Sequence, residues 1–333
     1  MWLETPVFAQ DLENFCGAAF IPWEKLRRKT IFVTGATGLI GYTLVSGLLY
    51  ASRKRGLDIK VLALVRSLPK AQEKYAAQLA DGNDLQFVVG SVEQLPPIAG
   101  PIDYIVHGAS QTASRAFVEH PVETINTAVN GTQNILELAR QKQVQGMVYL
   151  SSMEVYGQVR EPRLLAETDL GGLDSMQLRS SYPQGKRMSE TLCAAYAAEY
   201  GVPVAVARLA QTFGAGVDAA DNRVFAQFLR SARAGEDIVL LTKGASTRMY
   251  AYTMDAATAL MTLLLKGEKG RAYNVANKET YSSVYQMAEL VAQKFSTTAV
   301  PVSVRVDEST GAGKRLYPPD CHWKLDVSAL EAL

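Results

Sequence analysis

The sequence has few side chains that bind metals or form disulfides. Among 333 residues there are three cysteines and three histidines, and Cys16, Cys193 and Cys321 lie far apart along the chain. This spacing matches neither a disulfide framework nor a zinc site, which both need paired or clustered ligands. We therefore expect no bound metal and a protein of a reducing compartment, the cytoplasm.

An excess of one charge and long apolar runs are also missing. The 34 Lys and Arg residues are nearly balanced by 33 Asp and Glu residues, so the net charge is +1. No basic block stands out as a nucleic-acid surface requires. No run reaches the roughly 18 apolar residues of a membrane span, and the start, MWLETPVFAQDLENF, lacks the basic and then apolar order of a signal peptide. The sequence thus predicts neither a nucleic acid nor a membrane as partner.

What the sequence does contain is a regular alternation of short β-branched segments with helical patterns. Buried strands are predicted at Ile31–Val33, Ile59–Val65 and Gly146–Ser152, and helices at Val122–Arg140 and Lys186–Tyr200. Such alternation is typical of βαβ units and a parallel sheet. We predict an α/β fold, with a Rossmann-type doubly wound parallel sheet and a smaller C-terminal α/β substrate lobe.

The predicted organisation has three parts. Residues 1–28 form an N-terminal extension with a short helix at Phe8–Phe15, and residues 29–211 form the dinucleotide-binding Rossmann domain. Residues 212–333 form mainly the substrate-binding lobe, because the regular alternation weakens after Gln211.

The first predicted strand runs into the glycine-rich segment GATGLIG and directly on into a helix. At such a junction the free N–H groups and the dipole of the helix attract an anion. Glycines let the backbone turn and let a pyrophosphate approach it. The flanking strand and helix favour this reading over a turn with glycines for packing alone. The predicted dinucleotide-binding residues of the turn are Gly35, Thr37, Gly38, Leu39, Ile40 and Gly41.

The end of the second strand bears on which dinucleotide is bound. A carboxylate near this position usually bonds the adenosine ribose of NAD, whereas here Arg66 follows the strand. An arginine can pair with the 2′-phosphate of NADP, although an exposed strand-end arginine is the simpler alternative. NAD and NADP both remain candidates, with NADP modestly favoured.

A candidate reactive group stands at a later strand end and on the following helix. Ser152 ends the predicted strand, and Tyr182 and Lys186 in SYPQGK lie one helical turn apart on one face. A phenol with a pKa near 10 is a poor base, and a neighbouring lysine cation lowers that pKa. Tyr182 can then move a hydroxyl proton while nicotinamide takes the hydride. Ser152 would hydrogen-bond the reacting oxygen.

Together these motifs resemble the extended short-chain dehydrogenase/reductase family, which includes nucleotide-sugar epimerases, dehydratases and decarboxylases. The resemblance runs from about Lys29 to the C-terminus and includes IVHGAS, NGTQNILELA, ARLAQTFG and GASTRMYAYTMDAATAL. Within the family, YPQGKRMSETLCAAY is most similar to UDP-glucuronate decarboxylase.

The resemblance implies an NAD(P)-dependent homodimer that acts on a nucleotide-diphospho-sugar. The implied reaction is epimerisation or decarboxylation through a keto-sugar, and Glu154 joins Tyr182, Lys186 and Ser152 as a catalytic candidate. The alternatives are an NADP-dependent reductase of a nucleotide-linked sugar or polyol, and a non-catalytic cofactor-binding sensor. The further implied cofactor contacts are Ser91, Val92, His107, Gly108 and Ala109. The implied substrate contacts are Ser110, Gln211, Arg223 and Arg248.

The sequence departs from the family pattern at several of these positions. Met153 stands where 4,6-dehydratases carry an acidic residue, which argues against that reaction. Gln211 replaces the usual substrate-contacting asparagine, and Ser91 replaces an aspartate that usually meets adenine. The class of reaction is therefore better defined than the substrate.

Overall fold

The computed structural model describes residues 5–297, 300–309 and 320–333. The helices are α1 (Pro6–Gly17), α2 (Leu39–Arg55), α3 (Leu68–Lys74), α4 (Ala76–Ala80), α5 (Ser114–Glu119), α6 (Pro121–Lys142), α7 (Ser181–Glu199), α8 (Val224–Ala234), α9 (Thr253–Lys266), α10 (Val284–Phe295) and α11 (Ser328–Glu331). The strands are β1 (Thr30–Thr34), β2 (Lys60–Val65), β3 (Leu85–Val89), β4 (Tyr104–His107), β5 (Gly146–Ser152), β6 (Leu164–Leu165), β7 (Val204–Leu209), β8 (Gln211–Phe213), β9 (Ile238–Leu240), β10 (Thr247–Tyr252), β11 (Ala272–Val275), β12 (Asn277–Ser283), β13 (Val304–Val306) and β14 (His322–Leu325).

The main sheet is parallel and covered on both faces. Its strands follow the order β11-β7-β5-β4-β1-β2-β3, and every neighbouring pair is parallel. Ile31 and Val33 of β1 belong to one apolar cluster, whereas Phe32 between them belongs to the cluster on the opposite face. Because strand side chains alternate between faces, a strand that is apolar throughout must be buried on both sides. The predicted Rossmann-type sheet is confirmed.

The order of the strands creates a crevice at one edge of this sheet. The chain builds outward from β1 through β2 to β3 and then returns to place β4 on the other side of β1. In parallel sheets, ligands bind at the carboxyl ends of strands where the order reverses. The glycine turn after β1 therefore lies beside the end of β4, close to the end of β5 that carries Ser152.

The described part of the N-terminal segment is built into the Rossmann lobe. Helix α1 is longer than the predicted Phe8–Phe15 and packs against α2 and α9. Phe8, Leu12 and Phe15 are about 1% exposed, and a Cβ at Gly47 of α2 would lie 2.8 Å from the Phe15 ring. The spacing i, i+4, i+7 of these three residues gives α1 one apolar face. The predicted extension thus contributes to the core, while residues 1–4 lie outside the described residues.

The two lobes exchange segments across the predicted boundary at residue 211. Strand β11 pairs with β7 and completes the Rossmann sheet, although it follows several elements of the second lobe. In the opposite direction, β6 pairs with β14 in the smaller sheet of β12, β10, β14 and β6, with β8 beside β10. The crevice is therefore bounded by elements from both halves of the chain.

Among the described residues, no helix has the length and apolar character needed to cross a bilayer. In the same part of the chain, no three His, Cys, Asp or Glu side chains come together as a metal site.

Candidate active site

The glycine turn has the geometry of an anion site. Gly35 has a φ of +70°, and a Cβ there would lie 2.6 Å from the carbonyl carbon of Gly108, so only glycine fits. A Cβ at Gly41 would lie 2.2 Å from the Gly35 oxygen, whereas at Gly38 the nearest atom is 3.3 Å away. Gly35 and Gly41 therefore allow close packing, whereas a Cβ at Gly38 would make a tight contact with the Gly35 oxygen.

The start of α2 leaves N–H groups for such an anion. The backbone ladder of the helix begins with Tyr42 N, which donates to Gly38 O at 2.9 Å. The N–H groups of Leu39, Ile40 and Gly41 precede that bond, as in the first turn of any helix. They lie together at the positive end of the helix dipole, which suits a pyrophosphate. The turn, with the half-buried Leu39, Ile40 and Gly41 and the exposed Thr37, therefore fits a bound dinucleotide.

His107 joins the ends of β1 and β4. Its Nδ1 lies 2.7 Å from the Thr34 hydroxyl oxygen, which also accepts the N–H groups of Gly108 and Ala109 at 3.2 and 3.1 Å. Because that oxygen already accepts two bonds, the Thr34 hydroxyl donates to Nδ1, which is therefore the unprotonated ring nitrogen. The ring proton is assigned to Nε2, which lies 3.1 Å from the Thr132 hydroxyl oxygen. Burial, and secondarily the Lys186 ammonium, lower the pKa of His107 to about 3. His107 is thus a neutral connector that positions Gly108 and Ala109, and its ring does not face the crevice as a free ligand.

The predicted adenine end contains a carboxylate that the sequence analysis did not single out. Arg66 is exposed beyond the end of β2, and Val92 is buried, with its side chain filling the space beside Gly131. Ser91 Oγ accepts the N–H of Gln94 at 3.2 Å. Burial raises the pKa of Glu93, but the hydrogen bond from the Thr127 hydroxyl, bonds from the Glu93 backbone and Ser91, and the charge of Arg66 outweigh burial, so the pKa of Glu93 is lowered. Glu93 is therefore a negative group of the protein within electrostatic reach of Arg66.

The structure brings Tyr182, Lys186 and Ser152 together under the crevice. The Lys186 ammonium donates to Leu150 O at 2.6 Å and lies 5.8 Å from the centre of the Tyr182 ring. The Tyr182 ring stacks on Phe117 of α5 at 4.3 Å, and its hydroxyl interacts with Ser152. The i, i+4 spacing thus placed both side chains on one face, as expected.

The electrostatics of this group differ from the sequence-based expectation. Burial raises the pKa of Tyr182 well above its usual value, and Glu154 raises it further, while Ser152 and Arg179 lower it. Burial also lowers the pKa of Lys186 to about 8, opposed by Glu190. The expected lowering of the tyrosine pKa by lysine is therefore wrong for this state, because burial dominates the pKa of Tyr182 and the cation that lowers it is Arg179.

Glu154 is held by an arginine that the sequence analysis missed. Arg179 donates to both carboxylate oxygens of Glu154, at 2.8 and 3.2 Å. Its guanidinium also lies 5.7 Å from the Phe117 ring that stacks on Tyr182. The position of Arg179, three residues before Tyr182 and just before α7 begins, was the available signal. Glu154 is thus charge-paired rather than a free base.

The four predicted substrate contacts fall into two groups. Arg248 lies 3.5 Å from Gln211 and 5.6 Å from the ring of Trp323, and its buried Nε has no hydrogen-bond acceptor among the described residues. Arg223 instead donates to the Asp221 carboxylate at 2.5 to 3.1 Å and to Thr212 O. Ser110 Oγ donates to Gln111 O at 3.1 Å. Gln211 and Arg248 therefore form one group at one side of the crevice. Arg223 and Ser110 form the other group, because each is hydrogen-bonded within its own loop.

A buried polar network behind the site was also not predicted. Ser151 Oγ donates to Glu190 at 2.5 Å, and Glu190 pairs with Arg208 at 2.7 Å. Arg208 in turn donates to the Tyr156 hydroxyl at 3.2 Å, and Tyr156 donates to Asn274 at 2.6 Å. The network ties α7, which carries Tyr182 and Lys186, to β5, β7 and β11.

This combination of turn, sheet and tyrosine–lysine pair matches a known family. A sequence model of the NAD dependent epimerase/dehydratase family matches residues 31–276, well over half of the chain. The chain belongs to this family. The resemblance to the extended short-chain dehydrogenases is confirmed, and the match begins at β1 and ends just after β11.

Individual members of the NAD dependent epimerase/dehydratase family are similar over much of the chain. UDP-glucuronic acid decarboxylase 1 of Xenopus tropicalis is 29% identical over 80% of this chain, which spans 60% of that relative's length. UDP-N-acetyl-alpha-D-glucosaminuronate decarboxylase of Bacillus cytotoxicus is 28% identical over 92% of both chains. Similarity at this level supports shared ancestry, and the substrate of the present chain is a separate question.

Solved structures of the family share the fold. UDP-glucuronic acid 4-epimerase from Bacillus cereus, in complex with UDP-glucuronic acid and NAD, has a TM-score of 0.72 at 19% identity, over 91% of this chain and 92% of that one. UDP-glucose 4-epimerase from Thermotoga maritima, with UDP-glucose, has a TM-score of 0.71 at 21% identity, over 91% of each chain. At such identities the likeness concerns the fold.

The buried, neutral His107 predicts a pH-dependent loss of stability. In the unfolded chain this histidine titrates near 6.5, whereas in the folded protein its pKa is lowered to about 3. The unfolded state therefore binds more protons between these values, so stability falls as the pH drops below 6.5. Between pH 7 and pH 5 the free energy of unfolding should fall by about 2 kcal/mol through His107.

The measurement is urea unfolding at both pH values for the wild type, His107→Gln and His120→Gln, in which the substituted His120 is exposed. The loss should shrink in His107→Gln and persist in His120→Gln. NMR of labelled histidine in the folded wild type should show one ring that stays neutral at pH 5. Three rings that all titrate near 6.5 would contradict the assignment.

Proposed function

We propose that the protein is an NAD-dependent enzyme that modifies a nucleotide-diphospho-sugar through a keto-sugar, with decarboxylation of a sugar acid as the favoured net reaction. One observation carries the proposal. The crevice joins an anion-binding glycine turn, the buried Tyr182–Lys186 pair, and the half-buried Arg248, whose buried Nε has no acceptor among the described residues. The decarboxylases among the relatives, and the retained Glu154, support the choice of net reaction.

The chemistry begins with removal of a proton from a sugar hydroxyl, the 4-hydroxyl in our proposal. Bound NAD would supply the acceptor for the hydride that leaves the same carbon. The Tyr182 oxygen takes the hydroxyl proton, and Ser152 orients the reacting oxygen. Because burial raises the pKa of Tyr182, its phenolate depends on the two neighbours that lower that pKa, the Ser152 hydroxyl and the Arg179 cation. The oxidised sugar carries a ketone at that carbon.

A ketone β to a carboxylate makes loss of carbon dioxide favourable. The C–C bond electrons pass to the ketone as an enolate, which is protonated at the carbon that lost the carboxylate. Return of the hydride and of the Tyr182 proton restores the hydroxyl, so no cofactor is consumed overall. Glu154, fixed by Arg179, lies near Tyr182 and would contact the sugar during these steps.

The second lobe would bind the diphosphate. A buried guanidinium nitrogen without an acceptor is costly, and an anion that accepts from it removes that cost. Arg248 meets this condition, and the side-chain amide of Gln211 lies beside it. Arg223 would contact the diphosphate only after its ion pair with Asp221 has broken.

Two alternatives are separated by simple measurements. A reductase of a nucleotide-linked sugar or polyol would consume one reduced cofactor for each product formed. A non-catalytic sensor would bind cofactor and turn over no nucleotide sugar. The intact Tyr182–Lys186 pair argues against the sensor.

Tyr182→Phe tests the mechanism, because it keeps the ring and its stacking on Phe117 but removes the transferable proton. Turnover should fall by about 10²- to 10⁴-fold, the usual contribution of a positioned acid or base. NAD affinity should hardly change. The measurement is product mass and carbon dioxide release from a panel of nucleotide sugars that includes UDP-glucuronic acid.

Tyr196→Phe is the matched control, since Tyr196 lies on the same helix but belongs to its far end. Full activity of Tyr182→Phe would remove the tyrosine mechanism. NAD binding by the wild type without turnover of any sugar in the panel would instead favour the sensor.

The preference for NADP over NAD remains a proposal that rests on Arg66. If Arg66 meets a 2′-phosphate, NADP should bind more tightly than NAD, and Arg66→Ala should narrow the difference by roughly 1.5–3 kcal/mol. Glu93 opposes this preference, because its carboxylate lies within electrostatic reach of Arg66. Calorimetric affinities of both cofactors, with the exposed Arg233→Ala as control, decide the matter. Equal affinities in the wild type would make Arg66 a bystander.

A homodimer is proposed from the outer face of α6 and α7. Val122 and Ile125 of α6 and Met188 of α7 are 68%, 43% and 52% exposed, and apolar faces of this kind mark interfaces. The double variant Ile125→Glu/Met188→Glu should sediment as a monomer where the wild type is dimeric. Leu290→Glu, at a 56% exposed residue of α10, should leave the dimer intact. A monomeric wild type at micromolar concentration would contradict the proposal.

A further inference from the structure

The α3–α4 segment, residues Leu68–Ala80, follows β2 and contacts the outer side of the glycine turn. The Tyr75 hydroxyl donates to Ala36 O at 2.6 Å. The Lys74 ammonium donates to Thr37 O at 2.7 Å. Within the turn, Gly38 N donates to Gly35 O at 3.0 Å. Three consecutive carbonyl oxygens of the turn therefore have hydrogen-bond donors.

These bonds determine which backbone groups a phosphate would meet. A carbonyl oxygen carries partial negative charge and repels an anion, whereas an N–H group attracts one. In a planar trans peptide, the C=O and the N–H of the same unit point in opposite directions. A donor that fixes the carbonyl of Ala36 or Thr37 on the outer side therefore also fixes the direction of the following N–H. The ammonium of Lys74 adds positive charge next to the turn.

We propose that Lys74 and Tyr75 are positioning residues for the cofactor: they hold the carbonyls of the glycine turn away from the pyrophosphate site. The proposal rests on the cofactor-binding part of the proposed function and is independent of the sugar reaction. The two residues belong to the α3–α4 segment, which is part of neither the glycine motif nor the tyrosine–lysine pair.

The segment is held rigidly enough to do this. The Tyr75 side chain is fully buried, with its ring 5.1 Å from that of Tyr42 and 5.8 Å from that of Phe87. Gln78 donates to the Tyr42 hydroxyl at 3.0 Å and to Ser46 Oγ at 2.9 Å, which fixes the segment to the flank of α2.

The Lys74 side chain is half-buried, and its ammonium is held against an aromatic ring. It lies 5.2 Å from the centre of the Tyr42 ring. Burial lowers the pKa of Lys74, and the Asp218 carboxylate, in the loop before α8, opposes this change. The cation thus lies between the turn and a loop of the second lobe.

Two conservative variants separate positioning from packing. Tyr75→Phe keeps the buried ring and removes only the donor to Ala36 O. Lys74→Met keeps most of the stem over Tyr42 and removes the donor to Thr37 O. The matched controls lose similar bonds far from the turn. Tyr104→Phe loses a bond to Gln145 at 3.3 Å, and Lys142→Met loses bonds to the carbonyls of Ile98 and Gly100, both at 2.8 Å.

The readouts are the dissociation constants of NAD and of ADP-ribose by calorimetry, on protein freed of bound nucleotide, and the thermal midpoint. ADP-ribose contains the pyrophosphate without nicotinamide, so both ligands should lose affinity by the same factor. We expect about a five- to tenfold rise in Kd for each single variant, as for one lost hydrogen bond. Both controls should stay within about twofold. At saturating NAD, kcat on an active sugar should be unchanged.

Unchanged dissociation constants in both Tyr75→Phe and Lys74→Met would overturn the proposal. An equal loss of affinity in the controls would do so as well, because the effect would then be general destabilisation. If the wild type binds neither NAD nor ADP-ribose, the cofactor assignment fails and this inference with it. If the wild type binds both but turns over no sugar, only the reaction fails, and the affinity comparison still decides the roles of Lys74 and Tyr75.

Discussion

The close approach of β1 and β4 at their carboxyl ends is the contact on which the rest of the site depends. A Cβ at Gly35 would lie 2.6 Å from Gly108, so the two strands meet only because that side chain is missing. The hydrogen-bonded chain of Thr34, His107 and Thr132 then fixes this approach. With the strand ends locked, the glycine turn can face the crevice while α2 starts directly behind it. The anion site is therefore a product of tertiary packing as much as of the glycine motif.

Exclusion of water is the second determinant of the site. The same burial that raises the pKa of Tyr182 lowers those of Lys186 and His107. In such surroundings charges are tolerated only in pairs, and the structure supplies Glu154 with Arg179 and Glu190 with Arg208. Buried ion pairs contribute little to net stability after desolvation. Their value here is geometric: the Glu154–Arg179 pair anchors the segment just before α7, and the Glu190–Arg208 pair ties the middle of α7 to β7.

Local patterns in the sequence predicted the parts of the site that depend on local spacing. The strand–glycine–helix junction and the one-turn separation of Tyr182 and Lys186 are of this kind. Glu190 and Arg208 are 18 residues apart, and Tyr75 and Ala36 are 39 apart, so their pairing depends on how the sheet is assembled. The return of β11 to the main sheet, after several elements of the second lobe, could not be predicted for the same reason. The apolar face of α1 likewise does not identify, from the sequence alone, the helices α2 and α9 against which it packs.

The two arginines expected to bind substrate show how a local partner changes the expectation. Asp221 lies two residues before Arg223 and captures its guanidinium, so a diphosphate must compete with a carboxylate that is already in place. Among the described residues, Arg248 makes a long contact with Gln211 and lies over the Trp323 ring, and its buried Nε is unpaired. A buried donor left unpaired costs about 1–3 kcal/mol. A substrate that accepts from Arg248 recovers this free energy on binding, whereas one that displaces Asp221 gains little. The binding energy of the second lobe should therefore be concentrated at Arg248, and Arg223 should contribute after its loop has rearranged.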